Sequence, residues 1–275
     1  MKRLRRRLGF YVFVAAIVVF ALLPILWVLK MSLIPRRELF ATPPTLVPDE
    51  LTLSHYKVIF ADSSFRRGLL NSLIIAGSAT VIALVLGSLA AYPLARLRFR
   101  FRAFLMTGIL ALAFFPTVAI IAPLFVEFRS VGLLNSYAAV ILVDTVFALP
   151  LAVWILTAFF RQLPRDLEEA AKLDGATTFQ AFRLVIVPLA APGVMTASIL
   201  TFIFAWNEFL FANTFLFDEA HWPATVAIPN FANRYTVDFG AQAAAAIVVT
   251  VPLVLLVLLS QRRIVSGLTA GAVKG

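Results

Sequence analysis

Six stretches of this chain are each long and apolar enough to cross a bilayer, and this limits what it can fold into. They lie at about 9–30, 69–95, 104–126, 137–160, 192–217 and 241–260. A helix needs ~20 apolar residues to span the hydrocarbon core. With no water there, every backbone N–H and C=O must be satisfied within the segment. The expected fold class is therefore an all-α membrane protein, with six transmembrane helices in a single domain over 1–275. Composition agrees: 61% of residues are hydrophobic and 14% charged, against about 25% charged in soluble domains. Spans two and five are long enough to tilt or to project from the membrane. The opening MKRLRRRLGF resembles a signal peptide. Its apolar run exceeds the usual ~7–15 residues and no A-x-A-like cleavage site follows, so it reads as a retained first span.

Charge orients the bundle. Segments 1–8, 96–103, 161–191 and 261–275 hold 16 Lys and Arg against 4 Asp and Glu, while 30–68, 127–136 and 218–240 hold 8 of each sign. All the excess positive charge falls on one face, as the positive-inside rule requires of a cytoplasmic side. Both termini and the 161–191 loop are expected there. A net charge of +10 would also suit a nucleic-acid partner, but the clusters KRLRRR and RLRFRFR abut spans and read as membrane flanks. No nucleic acid is expected.

The 161–191 loop carries the most local information. In LEEAAKLDGATTFQAFRLVIVP, Asp166 and Glu169 have capping-box spacing, and Leu167, Ala170 and Ala171 share one face. Gly175 supplies a left-handed stop. Thr177 and Gln180 open a second helix whose apolar stripe is Phe179, Phe182 and Ile186, and Pro188 closes the unit. Two short helices folded about a glycine, with an apolar face on one side of a membrane, make a docking element.

Glu169-Ala170-Ala171, three residues, Gly175, nine residues, Val185, then Val187-Pro188 resembles the EAA loop of permease subunits in ABC-type importers. That family usually has Ile and Leu where this chain has Val185 and Val187. The flanks FALPLAVWILTAFFRQLP and PLAAPGVMTASILTFIFAWNEFLFA look like its carbohydrate branch. The tail QRRIVSGLTAGAVKG is similar to that of the second permease of maltose and trehalose importers. The likeness runs from about residue 51 to the end.

The resemblance implies a type I ABC importer permease bundle with a cytoplasmic EAA coupling helix, in a bacterial or archaeal cytoplasmic (inner) membrane. Its implied partners are a second related permease, two ATP-binding subunits, an extracytoplasmic sugar-binding protein and membrane lipid. The implied cargo is an α-linked disaccharide such as trehalose or maltose, or a short oligosaccharide. Leu167, Ala170, Ala171 and Leu173 would dock in a cleft of an ATPase subunit, with Gly175 and Pro188 shaping the loop. Glu169 would either cap its own helix or pair across that interface. Thr269, Gly271, Lys274 and Gly275, in the cytoplasmic tail 261–275, would lie between the two ATPases.

Absences narrow the chemistry. There is no G-x-x-x-x-G-K-[ST] phosphate loop, no zinc motif and no cysteine, so the chain is expected not to be an enzyme. No cofactor is expected on it, ATP and Mg belonging to the partner ATPases. His55 and His221 read as isolated outer-surface histidines. A secondary transporter would need internal repeats and several intramembrane ionisable groups; the spans offer Asp144 and Glu208 and no visible repeat. A permease for another solute of the same importer class stays open. Trp206, Asn207 and Glu208 in span five, with Asp144 in span four, combine a ring face with hydroxyl-binding groups and form the candidate sugar path. An ionisable group there faces the bundle interior, since facing lipid costs at least ~2.5 kcal/mol. The rival reading is interhelical hydrogen bonding.

Overall fold

The computed structural model describes residues 2–43, 45, 47–232 and 237–272, the side chains at 2–6, 8 and 262–272 excepted. Among them the regular structure is helical: α1 Lys2–Leu33, α2 Arg36–Leu39, α3 Ser54–Ala61, α4 Ser63–Arg96, α5 Arg102–Leu112, α6 Thr117–Ser130 and α7 Tyr137–Gln162. Then follow α8 Asp166–Leu173, α9 Thr178–Ala181, a π-helical turn Phe182–Ile186, α10 Val187–Leu189, α11 Ala191–Trp206, α12 Leu210–Phe215, α13 Ala224–Ala227 and α14 Phe239–Ala272. Four stretches, Gly9–Leu33, Ser63–Arg96, Tyr137–Gln162 and Phe239–Gln261, are long and apolar enough to cross a membrane as single helices. Two bent pairs raise that number to six.

Those bends interrupt two of the six expected spans. Where 104–126 read as continuous, α5 and α6 meet at 86°. Tight i→i+3 turns at Phe114 and Phe115 end α5, and Pro116, with no N–H, stands at the N-cap of α6. The second pair, Thr178–Leu189 and Ala191–Trp206, is bent by 77°. The chain therefore passes helically through Pro188 and turns at Ala190. There Pro192 has no N–H to continue the ladder, and Gly193 and Val194 donate back to the Ala190 carbonyl. Hydropathy sees none of this, because the residues stay apolar across each bend. Span five is also shorter than 192–217: α11 stops at Trp206 and α12 restarts at Leu210. Span two begins earlier than 69, at Ser63, and the last helix runs past 260 to Ala272.

The chain divides into two compact units, Met1–Arg66 with Ala227–Val251, and Arg67–Val226 with Pro252–Gly275. In the first, His55 is buried, which corrects its reading as a surface residue. Its Nε2 lies 2.9 Å from the Ile34 carbonyl oxygen and its Nδ1 3.6 Å from Asp238. The ring sits where a side chain at residue 240 would go, a Cβ there falling 2.2 Å from His55 Cε1. Glycine is required by that contact.

In the second unit α4, α7 and α11 pack closely. Gly87 lets α4 approach α7, a Cβ there lying 3.1 Å from Ala152 Cβ. Small residues at such crossings replace the hydrophobic drive that lipid cannot supply. A core of Ala91, Tyr92, Leu94 and Ala95 from α4 with Val153, Ile155, Leu156 and Phe160 from α7 receives Phe182, Ile186 and Ala190. The second arm of the 161–191 loop is thus anchored in the bundle.

Candidate functional site

The loop's turn chemistry is as the sequence requires. Gly175 has φ +90, a conformation that costs a residue with a Cβ ~1–2 kcal/mol. Thr177 and Gln180 form a reciprocal capping box, Thr177 N donating to Gln180 Oε1 at 2.7 Å and Gln180 N to Thr177 Oγ1 at 3.3 Å. The first helix departs from expectation. Its N-cap is Arg165, with no side-chain cap, and Asp166 lies inside the first turn. No Asp166–Glu169 capping box forms, and the acids Asp166, Glu168 and Glu169 favour the helix start only through its dipole. Of the expected stripe on the second helix, Phe182 and Ile186 are buried while Phe179 is exposed.

α8 buries a glutamate and leaves both its leucines exposed. Leu167, Glu169 and Ala170 are exposed and Ala171 half-buried, and Leu173 is 89% exposed. The buried residue is Glu168, at 7%. It accepts hydrogen bonds from Tyr92 Oη at 2.7 Å and Lys172 Nζ at 2.8 Å, and its carboxylate lies 3.7 Å from Arg96 Nε. Arg96 in turn donates to the Leu163 carbonyl at 2.9 Å. Burial pushes the Glu168 carboxyl up, but the Lys172 and Tyr92 hydrogen bonds and the Lys172 and Arg96 charges outweigh it and hold it below the ordinary carboxylate value. A depressed folded value means this contribution to stability is present above the ordinary carboxylate pKa and is lost as pH falls through the lower folded one. A helix that buries one glutamate and leaves both leucines in the open has exposed apolar side chains available for a partner.

The four polar residues of the candidate path do not share one environment. Asp144 is 1% exposed, and neither carboxylate oxygen has a hydrogen-bond partner among the described residues. Glu208 lies in the break between α11 and α12, where its carboxylate accepts from Phe211 N at 2.7 Å and Ala212 N at 2.9 Å and so caps α12. Asn207 is exposed, its Nδ2 donating back to the Ile203 carbonyl. Trp206 is buried and its ring lies 5.4 Å from that of Phe202. Asp144, Trp206 and Glu208 line one cleft with Ser72, closed down to about 10 Å³, roughly enough for one water.

Sequence reasoning missed Glu168, Tyr92 and Arg96. The i,i+4 spacing of Glu168 and Lys172 was the one visible signal. It also missed Asn71 and Ser72, which bind the outer segment 220–224. Thr269 and Gly271 fall on the α14 backbone, whereas Lys274 and Gly275 lie outside the described residues. No group of three or more His, Asp or Glu that could hold a metal occurs among the described residues.

Residues 83–269 match the family described as "Binding-protein-dependent transport system inner membrane component". The chain is 46% identical over 273 residues to the trehalose transport system permease protein SugB of Mycobacterium tuberculosis, spanning 98% of this chain and 99% of that one. It is 41% identical to the sulfoquinovosyl glycerol transport system permease protein SmoH of Agrobacterium fabrum, spanning 96% and 93%. The fold matches a bacterial ABC transporter involved in the import of the acidic polysaccharide alginate, with TM-score 0.78, 23% identity and 94% and 97% of the two chains covered. The chain belongs to the binding-protein-dependent permease family, with the type I ABC importer permease fold. It is a membrane-embedded transport subunit and not an enzyme.

Proposed function

We propose that this chain is one permease of an ATP-driven sugar importer, receiving an α-linked disaccharide or short oligosaccharide from an extracytoplasmic binding protein. The carrying observation is its 46% identity, over nearly the whole of both chains, with a trehalose permease. The sulfoquinovosyl glycerol relative at similar identity keeps the particular sugar open. Two ATP-binding subunits would hold ATP and Mg, one of them taking the exposed face of α8. Leu167, Ala170, Ala171 and Leu173 would enter its cleft, and Glu169, exposed and beside them, would meet a basic group there. The tail beyond Ile264 would lie between the ATPases. A second related permease would cover the other half of the pathway.

Trp206, Asn207, Glu208 and Asp144 are assigned to the sugar path in this reading. At about 10 Å³ the cleft that Trp206, Glu208 and Asp144 line admits no sugar, so α4, α7 and α11 must part during transport. Asp144, with its oxygens unpaired, would then meet sugar hydroxyls. The test is uptake of radiolabelled trehalose and maltose by vesicles holding the complex with its binding protein. Glu208→Gln and Asn207→Ala are expected to cut uptake several-fold while complex yield holds. If yield falls in proportion to uptake, these residues are structural and the path lies elsewhere.

Both termini and 161–191 are assigned to the cytoplasm, and 218–240 to the outside. The chain has no cysteine, so single-cysteine labelling with an impermeant thiol reagent is clean. Glu219→Cys should label in intact cells and Gln180→Cys only after lysis. External labelling at residue 180 would invert this topology.

A further inference from the structure

The importer reading makes α8 the helix that receives force, and hydropathy would pass that force to the spans joined to its loop. The hydrogen bonds lead elsewhere. Glu168, the one buried residue of α8, is bound to Tyr92 and Arg96 on α4, a helix remote in sequence. Arg96 also holds the Leu163 carbonyl at the exit of α7. The Tyr92 and Phe182 rings lie 5.0 Å apart. Both arms of the 161–191 loop and its exit from α7 therefore bear on the last turn of α4.

The other end of α4 is equally committed. Asn71 Nδ2 donates to the carbonyls of Ala220 and Trp222, each at 2.9 Å. Its Oδ1 accepts from Tyr137 Oη at 2.8 Å. Ser72 Oγ accepts from Ala224 N at 2.9 Å. At Gly68 a Cβ would come within 3.2 Å of the Ala224 backbone, so the helix lies directly against that segment. These side chains grip backbone, so segment 220–224 goes where α4 goes. Thr225 then donates to the Glu208 carbonyl at 2.7 Å, tying the segment to the break beside the polar cleft. Between Ser72 and Tyr92 α4 is uninterrupted helix without proline, about 30 Å of rod.

We propose that Glu168 is a positioning residue that clamps the docking helix to α4, and that α4 carries the position of that helix across the membrane to segment 218–226 through Asn71 and Ser72. A cluster of a buried carboxylate, guanidinium and phenol with a partly exposed ammonium has little to recommend it as a source of stability, since apolar residues of similar volume do as well. It does fix one geometry, as a clamp must. Movement of α8 toward or away from its ATPase would then shift the outer segment and the Asn207–Phe209 break together.

The proposal rests on the importer reading, and the experiment separates the two. A spin label on Glu219→Cys, exposed on the outer segment, is followed in the complete importer complex in lipid nanodiscs, with and without a non-hydrolysable ATP analogue. The label's mobility should change on adding nucleotide. Glu168→Ala should shrink that change by about fivefold, and Asn71→Ala, at the far end of α4, should do the same. The double variant should lose no more than either single one, because both cut one linkage. Tyr92→Phe removes a single hydroxyl and keeps the packing, so it serves if Glu168→Ala does not assemble; about a threefold loss is expected. A full nucleotide response in Glu168→Ala or Tyr92→Phe overturns the clamp. Additive losses overturn the single linkage. An unresponsive label in the parent complex overturns the proposal as a whole, and sugar uptake by the same complex shows whether the importer reading survives it.

Discussion

Valine at Gly175 is expected to abolish uptake while the protein accumulates in the membrane at its normal level. The two consequences separate because of where the strain falls. Gly175 has φ +90, and a Cβ built there meets nothing within 4 Å. Nothing clashes, so the spans, packed elsewhere, are left to assemble. The cost is confined to the backbone, ~1–2 kcal/mol for an ordinary L-residue in left-handed geometry and more for a β-branched one. The loop relieves it by rotating φ, and that rotation redirects α8 relative to α9. The capping box at Thr177–Gln180 and the buried Phe182 hold the second arm fixed, so the displacement falls on α8, strains its Glu168 contacts to Tyr92 and Arg96, and misplaces the exposed leucines proposed to dock. Gly175→Asn, which tolerates positive φ better, should retain more uptake than Gly175→Ala, and Gly175→Ala more than Gly175→Val. Uptake by vesicles and quantitative membrane blots decide the matter. Normal uptake in Gly175→Val would remove α8 from the coupling path.

What could be read from the chain is what its local chemistry encodes. Gly175 and the Thr177–Gln180 box act over three or four residues, and both stand where spacing put them. The apolar stretches were legible because bilayer thickness sets their length. The bends at Pro116 and Ala190 were not, since a helix can turn through 86° without any change in hydropathy. Proline alone does not separate the cases: Pro93 lies inside an unbroken α4 and Pro188 inside the helical path, while Pro116 and Pro192 accompany breaks. The outcome depends on whether neighbours can satisfy the freed carbonyl, a tertiary fact. Glu168 was hidden for the same reason. Its partner Tyr92 is 76 residues away, and the pattern of α8 marks its leucines as a docking face without saying which of its acids turns inward.

The largest loss of folded protein is expected from Gly193→Val. Gly193 opens α11 where it crosses α7, and a Cβ there would lie 2.2 Å from Phe159 Cγ, 2.6 Å from Cδ2 and 2.7 Å from Cβ. A flexible side-chain tip can swing aside, but Phe159 Cβ is fixed by its own backbone, so the helices themselves must separate. Overpacking of this kind costs ~1–3 kcal/mol in a core that can adjust. This one has less room. The same crossing holds Ala197 and Ala190 against Ile155, Leu156 and Phe160, and separation forfeits those contacts as well. Apolar burial offers no compensation in lipid, because a parted helix face is as well solvated by acyl chains as by its neighbour. Gly193→Ala should therefore already reduce membrane abundance, and Gly193→Val should leave little of it. Phe159→Ala on its own should be mild, since Phe159 is only partly buried. Combined with Gly193→Ala it removes the clashing ring and leaves only the Cβ contact, so the double variant should recover part of the loss. Detergent-extracted yield and thermal aggregation midpoints measure both effects. A Gly193→Val protein of normal yield, or a double variant no better than Gly193→Ala, would mean that α11 and α7 cross farther apart than 2.2 Å from Cβ to ring allows.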